Sequence, residues 1–130
     1  MIFSIIIPVY NEEKTILKIL DKLEKLKFSK FEKEIIVIDD GSTDNTKNIL
    51  DKNKNLYNQL YSNIKNEGKG SAVKVGLQKC SGEYVVFQDG DLEYDPIDLL
   101  KFEDVFIKFK ADGIIGSRFS YDKYIRSHSI

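Results

Sequence analysis

Phe3-Ser4-Ile5-Ile6-Ile7-Pro8-Val9, followed at once by Tyr10-Asn11-Glu12-Glu13, decides how the rest of the chain is read. A strand this apolar, with almost no polar alternation, is buried on both faces, and such strands belong to parallel sheets covered by helices above and below. The sudden change to an amide and two carboxylates puts a polar loop at the strand's carboxyl end. Two later runs repeat the pattern. Glu34 to Asp39 empties into Asp39-Asp40-Gly41-Ser42-Thr43-Asp44, and Glu83 to Gln88 into Asp89-Gly90-Asp91-Leu92-Glu93-Tyr94-Asp95-Pro96. Weaker strands are predicted at Gln59 to Asn63 and Asp112 to Gly116.

Between these runs the apolar residues recur at helical spacing: Ile16, Leu20 and Leu23, then Ala72, Val73, Leu77 and Cys80, then Leu99, Phe102, Phe106 and Phe109. Ser42 and Thr43 mark the start of a helix after the second strand, and Asp95-Pro96 opens the last one with a capping residue and a proline at its first position. Strands alternating with helices give an α/β fold, a Rossmann-like, mainly parallel sheet with helices on both faces. At 130 residues the chain fits one domain, 1–130, with a tail at 119–130 that carries no apolar pattern.

Composition removes several classes of function. Twenty basic against 21 acidic residues, a net charge of -1, predict no broad affinity for nucleic acid. The longest apolar runs are too short to span a bilayer, and the single cysteine, Cys80, supports neither a disulfide framework nor a thiolate metal site. A cytoplasmic protein is expected, with peripheral contact at the membrane face left open. The lysine-rich stretch from Lys22 to Lys33 reads as a solvated face, and the sole histidine, His128, is given no role.

In an open parallel sheet, ligands bind beyond the carboxyl ends of the strands, where the polar clusters of this chain lie. Asn11-Glu12-Glu13 taken alone reads as a helix cap, and Asp39-Asp40-Gly41-Ser42 reads equally as a tight turn or a ligand loop. The third cluster is more demanding. Asp89, Asp91 and Glu93 alternate along an extended segment, so they project to one side, and like charges at such density call for solvent or a hard cation such as Mg²⁺ or Mn²⁺. Gly68-Lys69-Gly70-Ser71 lacks the spacing of a phosphate loop and reads as a helix start, with an anion at that helix N-terminus left open.

Taken in order, Ser4 to Glu13, Val37 to Asp44 and Gln88 to Asp91 resemble the N-terminal half of a family 2 glycosyltransferase of the GT-A fold. Asp91-Leu92-Glu93-Tyr94-Asp95-Pro96 and Gly116-Ser117-Arg118-Phe119 make the chain most similar to the polyprenyl-phosphate (dolichyl-phosphate) sugar transferases. The resemblance implies that Pro8, Tyr10 and Glu12 line the nucleotide base and ribose, with Ile38 and Asp40 completing that pocket. It implies that Asp89 and Asp91 are DxD carboxylates holding metal and diphosphate, that Glu93 is a further metal ligand, and that Arg118 lies near the sugar diphosphate. Lys69 falls where the family is often basic or small. A GDP- or UDP-sugar donor and a lipid-phosphate acceptor follow from the same likeness, whereas no residue matches the general base of many relatives. The alternative function is a non-catalytic nucleotide-sugar-binding module that needs a partner chain; self-association is compatible with an exposed sheet edge. A phosphoacceptor domain or a DxD phosphatase would instead place its aspartates after the first strand.

Overall fold

The computed structural model describes residues 1–109, 114–117 and 120–126. Its order is β1 (Ile2–Val9), α1 (Ile16–Lys25), β2 (Glu32–Asp39), α2 (Thr46–Lys52), β3 (Gln59–Ser62), α3 (Lys69–Lys79), β4 (Tyr84–Phe87), α4 (Leu99–Phe109), β5 (Ile114–Ser117) and β6 (Ser120–Arg126). The first four strands form one parallel sheet in the order β3-β2-β1-β4, with Ile5 opposite both Ile35 and Val86. The chain winds outward from β1 to β3 and then returns to β1's other side. That reversal makes the gap between β1 and β4 the switch point of the sheet.

Alternate side chains of β1 feed two cores, because successive residues of a strand point to opposite faces. Ile5, Ile7 and Val9 pack with Ile16, Ile19, Leu20 and Leu23 of α1, Leu50 of α2 and Leu99 of α4. Ile6 packs with Ile36, Ile38 and Ala72, the last from α3. Helices therefore cover both faces. At the amino end of the sheet Phe3, Phe31 and Phe106 form an aromatic cluster, with Phe3 and Phe28 edge to face at 5.1 Å between centroids. Each fully buried side chain of this size contributes about 1.5–3 kcal/mol.

The strands and helices lie where the sequence puts them, with three corrections. The buried face of α3 is only partly the stripe through Ala72, Val73, Leu77 and Cys80: Ala72 is buried as expected, but Leu77 is exposed and Gly76 is buried in its place. A Cβ on Gly76 would stand 2.4 Å from Ile6 Cγ2, so the helix lies against β1 through a residue that adds nothing to an apolar pattern. β4 is only half-buried, and Phe87 is exposed, whereas its apolar run predicts burial on both faces. Among the described residues it is an edge strand, paired on one side with β1. Finally, β5 does not extend the parallel sheet; it pairs antiparallel with β6, in the tail for which no strand is predicted.

Polar side chains secure the connections. Glu103 of α4 is buried and accepts from Ser29 N at 2.9 Å, Ser29 Oγ at 2.6 Å, Lys30 N at 3.1 Å and Phe31 N at 3.1 Å, which fixes the entry to β2. Lys33, from the lysine-rich stretch, donates to Leu23 O at 2.6 Å and Leu26 O at 3.0 Å, closing the C-terminus of α1. Cys80 is half-buried beside the α3 core, and burial, reinforced by Glu34, pushes its thiol above the ordinary range. No described helix is long and apolar enough to cross a membrane.

Candidate functional site

The loops that leave β1, β2 and β4 are joined to one another by side-chain bonds. Asn11, at a positive φ of 52°, accepts through Oδ1 from Thr43 N at 2.8 Å and Asp44 N at 3.3 Å, while its own N–H donates to Ser42 Oγ at 3.0 Å. Glu12 N donates to Thr46 Oγ1 at 2.9 Å, and Asn45 N donates to Glu13 Oε2 at 3.0 Å. Asn11-Glu12-Glu13 is thus a brace between two loops as well as the approach to α1. From the other side, Thr15 Oγ1 donates to Gly90 O at 2.7 Å and ties the acidic loop to the start of the same helix.

Asp40 is the anchor of a further segment. It is buried, and its carboxylate accepts from Asn63 Nδ2 at 2.8 Å, Glu67 N at 2.9 Å and Gly68 N at 2.8 Å, folding residues 63–68 over the end of β2. Gly41 lets that segment approach: its φ is +74°, and a Cβ there would lie 2.3 Å from Lys65 C. In the acidic loop Gly90 is equally constrained, since a Cβ would come within 2.7 Å of Val9 Cγ1. Buried Gln88 donates to Tyr94 O at 3.0 Å and so holds the two ends of that loop together.

These segments enclose a cleft of about 420 Å³ at the switch point, lined by Pro8, Tyr10 and Glu12 after β1, Asp40 after β2, Gly68 and Lys69 at the start of α3, and Asp89, Asp91 and Glu93 after β4. Most of the residues singled out in the sequence therefore meet. Ile38 does not: it is wholly buried in the core beneath α3 and does not line the cleft, because it points to the face that α3 covers. Arg118 lies outside the described residues. Asp40 is at the cleft wall with its carboxylate turned to its own chain.

The electrostatics of the cleft are set by crowded carboxylates. Burial raises the Glu12 carboxyl above its usual range, a bond from Thr15 partly opposes the shift, and Asp91, Asp44 and Asp89 add to it. Lys69 Nζ forms an ion pair with Asp89 Oδ1. Asp91 accepts from Glu93 N at 3.0 Å. Among the described residues no three carboxylates converge as a ready-made metal cage. The donor set still fits a divalent cation. It is all oxygen, its charge already draws an ammonium, and Mg²⁺ is commonly held by one or two carboxylates plus substrate phosphates and water. Asp89 and Asp91 are the residues that would hold it.

A parallel α/β sheet with an acidic cleft at its switch point defines the class, a doubly wound α/β protein of the kind that binds ligands beyond the carboxyl ends of its strands. The chain belongs to glycosyl transferase family 2, whose model matches residues 4–127, and its fold is that of GT-A glycosyltransferases. It is 40% identical over 109 residues to the poly(ribitol-phosphate) beta-N-acetylglucosaminyltransferase TarS of Staphylococcus aureus, covering 82% of this chain and 19% of TarS. The crystal structure of TarS 1-349 in complex with UDP-GlcNAc superposes with a TM-score of 0.68 at 36% identity, over 84% of this chain and 32% of that one. The mannosyltransferase PcManGT of Pyrobaculum calidifontis, in complex with GDP-Man and Mn2+, gives a TM-score of 0.57 at 29% identity, over 68% of this chain and 27% of that one. The dolichyl-phosphate beta-glucosyltransferase of Dictyostelium discoideum is 36% identical over 130 residues, covering 88% of this chain and 39% of the enzyme. The chain spans half or less of the curated relatives it matches.

Proposed function

We propose that this chain carries the donor site of a glycosyltransferase that moves a sugar from a nucleotide diphosphate to an acceptor with the help of Mg²⁺ or Mn²⁺. The observation that carries the reading is the cleft, in which Tyr10 and Glu12 from one loop face Asp89 and Asp91 from another across the switch point of the sheet. Pro8 and Tyr10 offer apolar surface to a base, and the Glu12 carboxyl offers an acceptor to ribose hydroxyls. Asp89 and Asp91 hold the divalent ion, which when bound supplies Lewis-acid stabilisation of the departing diphosphate. Gly90, close against Val9, lies between these two carboxylates in the cleft lining.

The UDP-GlcNAc and GDP-Man complexes of similar proteins support a uridine or guanosine diphosphate sugar as donor. A polyprenyl phosphate is the proposed acceptor, supported by the likeness to the dolichyl-phosphate enzyme. Such an acceptor is already an anion and needs little help from a general base. Calorimetry with UDP- and GDP-sugars, with and without Mn²⁺, tests the donor site. Binding of one donor that requires Mn²⁺ and is lost in Asp91→Ala is expected; a chain that binds none of them with Mn²⁺ present would sink the proposal.

A further inference from the structure

Lys69 occupies the place in the cleft where its charge matters most. It is the first residue of α3, lines the cleft, and sets its ammonium on Asp89, one of the two carboxylates assigned above to the divalent ion. Its side chain is 64% exposed, against 29% for Asp89, so the ammonium is the end of the pair more open to an arriving ligand. The backbone to either side leaves room for a new partner. A Cβ on Gly68 or on Gly70 would meet nothing within 4 Å, and both flank Lys69 at the N-terminus of an eleven-residue helix.

Resting on the donor-site reading, we infer that Lys69 is an internal counter-cation for Asp89, displaced when a diphosphate arrives, so that nucleotide and divalent ion bind with positive coupling. In the free cleft the ammonium neutralises Asp89 and competes with the metal for it. A diphosphate over Gly68 and Gly70 gives Lys69 a second anion, and Asp89 is released to the ion. Each ligand thus removes part of the cost of binding the other, and linkage requires the effect to be equal in both directions. The free site is thereby kept from taking up divalent ions unproductively, and the full carboxylate pair is presented only with nucleotide in place.

The test uses the whole chain and three probes, Mn²⁺ alone, UDP and GDP, titrated in the wild type, Lys69→Met and Lys69→Arg. Lys69→Met is expected to bind Mn²⁺ alone about two- to fivefold more tightly, the range set by an exposed ion pair. In the wild type the nucleotide that binds should raise Mn²⁺ affinity, and in Lys69→Met that coupling factor should fall, with Lys69→Arg restoring it. Lys69→Met that binds Mn²⁺ no more tightly than the wild type, or that keeps the full coupling factor, would overturn the inference alone. A wild type that binds Mn²⁺ neither by itself nor with UDP or GDP would overturn the donor-site reading, and the inference with it. Lys69 is exposed, and an unchanged thermal midpoint in each variant verifies that the comparison is between folded proteins.

Discussion

Asp40 shows how a side chain that lines the cleft also builds it. Its buried carboxylate takes three donors from residues 63–68, and that segment leads directly into Gly68 and Lys69 at the cleft. Removing the acceptor leaves those donors without their partner in a place only partly reached by water. Asp40→Ala is therefore expected to lose about 2–4 kcal/mol of stability in urea denaturation and to weaken nucleotide binding as the segment loosens. Asp40→Asn, which keeps one acceptor oxygen, should lose less; equal losses in the two variants would contradict this role. The sequence marks Asp40 as a candidate, but its assignment to the nucleotide pocket comes from a resemblance, and its partners more than twenty residues away are fixed by the fold. Asn11 is similar. Its residue type is visible in the sequence, its bracing of the 42–46 loop is not.

Among the elements, α4 is held to the sheet by a charge as well as by Phe106 and Leu99. Burial works against the Glu103 carboxylate, but bonds from Ser29, Lys30 and Phe31 outweigh it and hold its pKa below the usual glutamate value. A carboxylate whose folded pKa is depressed stabilises fully above the unfolded value of about 4.3 and loses that contribution as pH falls through the lower, folded value. Glu103→Gln should cost about 1–3 kcal/mol at pH 7. It should also flatten the acid limb of the stability profile below about pH 4, measured as urea midpoints across pH; parallel profiles for wild type and variant would contradict this. The helical stripe of α4 is readable, since Leu99, Phe102 and Phe106 face inward. Glu103 is hidden within it because a charged residue on a helix is by default solvated, and only the approach of residues 29–31 makes it a staple.

For the molecule as a whole, the strand order β3-β2-β1-β4 puts the loops after β1 and β4 side by side, although they are about eighty residues apart in the chain. A ligand in the cleft bridges segments from four parts of the sequence and must raise their common stability. A cognate nucleotide with Mn²⁺ at one hundred times its dissociation constant should add about 2.7 kcal/mol to unfolding. Thermal denaturation would show this as a raised midpoint, with no rise in Asp91→Ala.

Apolar periodicity and short polar motifs are local, so the alternation of strands and helices, the family likeness and the available carboxylates are legible along the chain. The tertiary structure decided what local pattern cannot carry. Gly76 rather than Leu77 packs α3, since the closeness of β1 leaves no space for a side chain. Ile38 goes to the core, since its parity on β2 turns it toward α3. β5 leaves the parallel sheet for β6. Lys69, read from the chain as part of a helix start, meets Asp89 because the switch between β1 and β4 brings the N-terminus of α3 to the acidic loop, and charge pairs only with what the fold places beside it.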